Sequence, residues 1–208
     1  MYVIGVDLGQ KRDHTAIVMV EKPYRHPLAS VVDPTLTVRM AQRLPLGMGY
    51  PEMVEVVRHV VGMGMRAGYV RGQTPCAVVV DATGVGTPVV EAMRAAGLGA
   101  EVTSVTITGG AAETHKGLDY HVPKQDLMMG LQLLLEKGEL KISRKGSEAG
   151  ALVKELVNMR QQTGVRGRIR VGAEAFGEHD DLVMALALVA WKAKRIFVMN
   201  GMVRLPGI

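Results

Sequence analysis

Apolar positions in this chain fall into short β-rich runs and longer stripes at helical spacing. Tyr2-Val-Ile-Gly-Val-Asp7 reads as a buried strand with a carboxylate at its C-terminal tip. A polar turn, Gln10 to His14, separates it from Thr15-Ala-Ile-Val-Met-Val-Glu21, a second strand close enough to form a hairpin. Pro23 and Pro27 flank a turn, and Leu36, Val38 and Met40 alternate with polar neighbours in a third strand between Thr35 and Leu44. Tyr50-Pro51-Glu52 opens a helix, with Pro near its first position and an acid in its first turn. Val54, Val57, Val60 and Val61 carry that helix toward Gly68. Cys76-Ala-Val-Val-Val-Asp81 is another apolar strand ending in an Asp, followed by a tight loop to Gly86 and a helix from Thr87-Pro88 to Ala96.

Beyond this point the pattern gives a strand from Glu101 to Thr108 and an aperiodic loop from Ala111 to His121. An amphipathic helix from Val122 to Lys137 presents Leu127, Leu131, Leu134 and Leu135 on one face. Leu140–Ile142 is a brief strand, Glu148–Gln161 a helix and Ile169–Val171 a further short strand. A final helix from Asp180 or Asp181 to Lys194 is apolar through its body. The expected organisation is one domain over 1–195 and a loose tail over 196–208. Three strands in series followed by helix–strand alternation is a mixed α/β order. It describes a ribonuclease H-like mixed sheet, three antiparallel strands and then parallel ones, flanked by helices.

The 208 residues suffice for one sizeable α/β domain. An aromatic content of 4% leaves core volume to Val, Leu, Ala and 14 Met, and argues against single-strand binding by rows of stacking rings. A net charge of +5 is compatible with a polyanionic partner, although many soluble proteins are equally basic. The single cysteine, Cys76, forms no internal disulfide and fits a reducing compartment. With Asp7 interrupting the first apolar stretch and no apolar run of membrane length, the expectation is a soluble, cytoplasmic protein.

Three acidic positions share one peculiarity. Asp7 and Asp81 each end an apolar strand, and Asp180–Asp181 opens an apolar helix. Carboxylates beside a packed core need partners or a cation. If the two strands are parallel neighbours, their tips share one sheet edge, and the last helix can bring its N-terminal acids there. Such oxygen ligands suit hard divalent cations, and a pair of Mg²⁺ or Mn²⁺ ions about 4 Å apart clamps the attacking and leaving oxygens of a phosphodiester. Taken singly, each acid is equally a turn former or a helix cap.

At these residues the chain resembles a known family. Gly5-Val-Asp7-Leu-Gly9 with His14-Thr-Ala-Ile, Val79-Val-Asp81-Ala-Thr-Gly84-Val-Gly86, and His179-Asp180-Asp181-Leu-Val-Met-Ala-Leu-Ala187 are similar in order and spacing to the three acidic motifs of the nuclease domain of phage terminase large subunits. Val122-Pro-Lys124-Gln-Asp-Leu127 and Gly138-Glu-Leu-Lys-Ile142 fit the same family, so the likeness spans Tyr2 to Lys194. The resemblance implies a two-metal endonuclease acting on packaged double-stranded DNA in a bacterial host, with a packaging ATPase, portal or small terminase subunit as partner. It implies Asp7, Asp81, Asp180 and Asp181 as catalytic metal ligands, Asp181 slightly favoured over Asp180. Where related nucleases often carry a further acid, this chain has Met184, so a fourth ligand falls to Asp180, Glu178 or His179. The phosphate-binding loop of a packaging motor is absent from these residues. An excised domain, a separately encoded nuclease and a prophage remnant therefore stay open.

His179 is an auxiliary candidate, for positioning water or binding metal, or else a plain helix-start residue. Lys124, Lys116 and His115, with His121, are candidate contacts to the DNA backbone. Two further basic clusters, Lys141 with Arg144 and Lys145, and Arg166 with Arg168 and Arg170, read equally well as plain surface. The rival readings are a Holliday-junction-resolvase-like nuclease, an actin- or hexokinase-like ATPase, and an inactive remnant acting as a binding module.

Overall fold

The computed structural model describes residues 1–9, 13–23, 34–67, 76–84, 86–143, 146–158, 162–163, 169–170, 180–199 and 202–204. Strands β1 (Tyr2–Asp7), β2 (Ala16–Glu21) and β3 (Leu36–Arg43) form an antiparallel meander. Helix α1 (Tyr50–Ala67) leads to β4 (Cys76–Asp81), which pairs parallel to β1. Helix α2 (Gly86–Ala95) then connects to β5 (Glu101–Thr108), parallel to β4. The chain continues through β6 (Thr114–Lys116), β7 (Asp119–Pro123), α3 (Lys124–Glu136), β8 (Leu140–Ile142) and α4 (Ala149–Asn158). Two short strands, β9 (Gln162–Thr163) and β10 (Ile169–Arg170), pair with each other before α5 (Asp181–Arg195). Past Ile196, where the sequence shows no element, β11 (Phe197–Met199) and β12 (Met202–Arg204) pair as a hairpin.

The main sheet has eight strands in the order β6-β7-β5-β4-β1-β2-β3-β8. The antiparallel meander joined to parallel crossover strands is the mixed sheet that the element order predicts. One segment corrects the expectation. Residues expected as a loop between Ala111 and His121 form the β6–β7 hairpin, and Val122 and Pro123 belong to β7 rather than to the following helix. All three residues of β6 are exposed, so no apolar alternation marks the strand. The available signal is Gly117-Leu118, a glycine-first pair whose Gly117 has φ 60°, as a tight hairpin turn requires.

Each face of the sheet carries its own core. Tyr2, Ile4 and Val6 of β1 and Cys76, Val78 and Val80 of β4 pack with α1 and α2. Val3 of β1 and Ala77 and Val79 of β4 lie on the other face, in the core shared with α3, α4 and α5. Helix α5 is buried continuously from Asp181 to Ala193, as its all-round apolar body demands. It meets β1 almost backbone to backbone: a Cβ built on Gly5 would stand 2.1 Å from the carbonyl oxygen of Ala185 and 2.8 Å from Val189 Cγ2. At its far end the buried Lys192 ammonium donates to Glu101 Oε1 at 2.7 Å and Thr103 Oγ1 at 2.6 Å. Lys22 Nζ donates to the carbonyls of Ala193 and Ile196. Among the described residues no helix is long and apolar enough to cross a membrane.

Gly5→Ala should therefore be costly although it adds one methyl group. Overpacking of this kind costs about 1–3 kcal/mol, or several degrees of Tm in a chain of this size. Gly109→Ala, with no atom within 4 Å of the added carbon, should leave Tm unchanged. Calorimetric melting of the two variants checks this, and equal Tm values would mean that α5 does not sit tightly on β1.

Candidate metal centre at the carboxyl edge of the sheet

The pleat fixes where the strand-end acids point. Asp7 follows Val3 and Gly5 at alternate positions, and Asp81 follows Ala77 and Val79, so both carboxylates lie on the α5 face. Because β1 and β4 run parallel, with Val6 paired to Val80, Asp7 and Asp81 come next, side by side at the same edge. Helix α5 begins at this edge and supplies Asp180 and Asp181. The expectation that the three acidic segments converge is thus realised in the backbone.

Burial dominates the electrostatics. It pushes the Asp7 carboxyl well above the usual carboxylate range, helped by the nearby charges of Asp81, Asp181 and Asp180 and opposed by Lys124. Burial also raises Asp81, against hydrogen bonds from Thr83 and Asp7 and the charge of Lys124. The Thr83 backbone N–H donates to Asp81 Oδ1 at 2.8 Å, which fixes that carboxylate in the turn after β4. A cluster that resists full ionisation and offers only oxygen donors has the ligand chemistry of a hard divalent cation.

Asp180 occupies the N-cap position of α5, yet its side chain caps nothing. Its Oδ2 faces Lys124 Nζ at 3.6 Å. The Val183 N–H in the first turn donates instead to Glu155 Oε2 of α4, at 3.1 Å. Asp181 is buried and faces Arg43, whose Nε stands 3.3 Å from Asp181 Oδ2. With these two acids turned toward Arg43 and Lys124, no three acidic, His or Cys side chains among the described residues already form a metal-holding group.

Lys124, read from sequence as a backbone contact to DNA, starts α3 and belongs to this cluster. His115 and Lys116 lie on β6, farther along the same sheet. The paired series Asp81–Val105–Tyr120–His115 crosses three strand spacings, about 14 Å. His115 stacks on Tyr120 with ring centroids 4.9 Å apart, and Tyr120 meets Trp191 edge-on. Exposed His121 alternates with Tyr120, on the opposite side of β7. Met184 lies on α5, buried in the core. His179, Glu178, Arg144, Lys145, Arg166 and Arg168 lie outside the described residues. Sequence reasoning missed Arg43, Glu148 and Glu155. All three are charged residues at element ends or on a half-buried helix, where periodicity carries no sign of them.

No protein-family model matches the chain. No curated protein matches it either. Solved structures do. The large terminase nuclease from thermophilic phage G20c superposes with a TM-score of 0.59 at 20% identity, covering 92% of this chain and 82% of that one. The g2p (large terminase) nuclease domain from bacteriophage SPP1 with bound Mn gives 0.56 at 12% identity, covering 92% and 86%. The Mn-soaked human cytomegalovirus terminase nuclease domain gives 0.57 at 12% identity, covering 91% and 81%. The chain thus has the ribonuclease H-like fold of terminase nuclease domains.

Asp7 gives a test with a definite sign. Its carboxyl titrates higher in the folded chain than in the unfolded one, so the folded state is penalised as pH rises from the unfolded pKa through the raised folded value. Above that value the penalty is complete, and below the unfolded pKa it vanishes. In EDTA, Asp7→Asn should raise Tm by a few degrees near pH 8 and lose that gain near pH 4. A variant less stable than wild type at pH 8 would contradict the reading of Asp7 as a frustrated charge.

Proposed function

We propose that this chain is a metal-dependent endonuclease that hydrolyses DNA phosphodiester bonds, acting as the cutting domain in viral DNA packaging. The observation that carries the reading is the convergence of Asp7, Asp81 and the Asp180–Asp181 pair on one edge of the sheet, on the face covered by α5. The shared fold supports it, since two of the similar nuclease domains are described with Mn. Asp7, Asp81 and Asp181, with Asp180 as a further ligand, would hold Mg²⁺ or Mn²⁺, in a pair as the reaction class favours. When bound, such ions activate an attacking water and compensate charge on the leaving 3′-oxygen.

The chain's own residues supply the remaining parts. Thr83 holds the Asp81 carboxylate in a fixed direction. Glu155 secures the first turn of α5, from which Asp181 projects. Lys124 lies close enough to the acids to meet a DNA phosphate beside the scissile bond, and exposed His115 and Lys116 extend the positive surface along the sheet. Contacts of this kind give salt-dependent affinity without base readout. Double-stranded DNA is the proposed substrate, and a packaging ATPase, portal or small terminase subunit the proposed protein partner. The site is proposed to work in the bacterial host's cytoplasm. His179, two residues before Asp181, is an auxiliary candidate.

Incubation of supercoiled plasmid with the protein and Mg²⁺, Mn²⁺ or EDTA tests the reading. Nicking and linearisation should require the metal. Asp81→Ala should reduce the rate by about 100-fold or more, the scale of losing several kcal/mol of metal-borne stabilisation. Folded wild-type protein that cuts with neither metal would count against the nuclease reading, and cutting that survives Asp81→Ala would count against the site.

A further inference from the structure

Arg43 closes β3 at the level of the acids, since Asp7 pairs with Ala16 and Ala16 pairs with Arg43. Ala41, two residues earlier, lies in the α5-side core, so Arg43 projects onto that same face. Its side chain is only 18% exposed and meets three carboxylates, one in the turn before α4, one in α4 and one in α5. Nε faces Asp181 Oδ2 at 3.3 Å, one terminal nitrogen faces Glu148 Oε2 at 3.2 Å, and the other is bound by Glu155 Oε1. The second oxygen of Glu155 accepts the Val183 N–H. A single guanidinium thus ties the end of β3, the turn that enters α4, α4 itself and the first turn of α5 together at the proposed metal edge. Only a rigid fork of five donors satisfies three acceptors in this way, and an ammonium group does not reproduce it.

We propose that Arg43 is a positioning residue for metal assembly: held by Glu148 and Glu155, it fixes the first turn of α5, from which Asp181 projects, at the edge where Asp7 and Asp81 end. This inference rests on the reading given under Proposed function and adds a residue to it. Arg43 neutralises part of the buried negative charge at this edge. Its partners are half-buried or largely buried, so loss of the guanidinium leaves carboxylates uncompensated beside one another. Exposed ion pairs such as Arg58–Glu55 carry no such consequence.

Titration calorimetry with MnCl₂ on wild type, Arg43→Gln, Arg43→Lys and Glu155→Gln, with melting of each in EDTA, tests the proposal. Wild type should bind Mn²⁺. Arg43→Gln and Glu155→Gln should bind it about 10-fold or more weakly, the scale for losing a group that orients a metal ligand. Arg43→Lys should fall between, with a Tm in EDTA near that of wild type. If Arg43→Gln does not fold, the Lys and Glu155 variants carry the test. A lowered Tm with unchanged Mn²⁺ affinity would mean a purely structural role and overturn the proposal. A raised affinity, as expected if Arg43 competed with the metal for Asp181, would overturn it as well. Wild type that binds no Mn²⁺ overturns the metal reading and this inference together, whereas wild-type binding left intact in every variant overturns this inference alone.

Discussion

Everything at the acidic edge depends on the close seating of α5 on β1. Gly5 leaves room for the Ala185 carbonyl where any side chain would collide, and so the helix lies against the middle of the sheet. Its far end is fixed by Lys192 reaching Glu101 and Thr103, and by Lys22 binding the last carbonyls. With the helix body and far end set by packing and buried hydrogen bonds, its first turn has one place to go. That place is the edge where β1 and β4 end side by side.

Close seating brings an electrostatic conflict with it. Desolvation and mutual repulsion disfavour ionised Asp7, and neighbouring Asp181 and Asp180 add to the strain. The chain relieves part of it internally. Arg43 takes up Asp181 together with Glu155 of α4 and Glu148 of the turn before it, and Lys124 takes up Asp180. The two cations stand where charge compensation is required, one on each side of the α5 N-terminus. An arrangement of this kind stores destabilisation at a site and offsets it elsewhere in the fold. Under the proposed function, a divalent cation at this edge would remove that repulsion as well as gain oxygen ligands.

Much of this was legible in the sequence. Uninterrupted apolar runs ending in Asp7 and Asp81 marked two central strands with carboxylate tips, and an all-round apolar helix after Asp181 marked a buried one. Local pattern was enough there because burial on both sides leaves no polar face to disguise it. The β6–β7 hairpin was not legible as an element, because an exposed edge strand has no core face to impose alternation. Arg43, Glu148 and Glu155 escaped for a different reason. Their meeting is a tertiary fact: residues 43, 148, 155 and 181 share no local spacing, and each alone reads as surface charge. Asp180 sits at the helix-cap position that the sequence allows, but its carboxylate faces Lys124, and a glutamate from another helix accepts the first-turn hydrogen bond.

The central claim is that Asp7, Asp81 and Asp181 converge on one cation-binding edge. Anomalous diffraction from crystals of this protein grown with MnCl₂ addresses it most directly. The account predicts a manganese peak bounded by these three carboxylates, with Asp181 rotated toward Asp7 and Asp81. Full occupancy of manganese elsewhere on the chain, with this edge free of anomalous signal at saturating concentration, would contradict it.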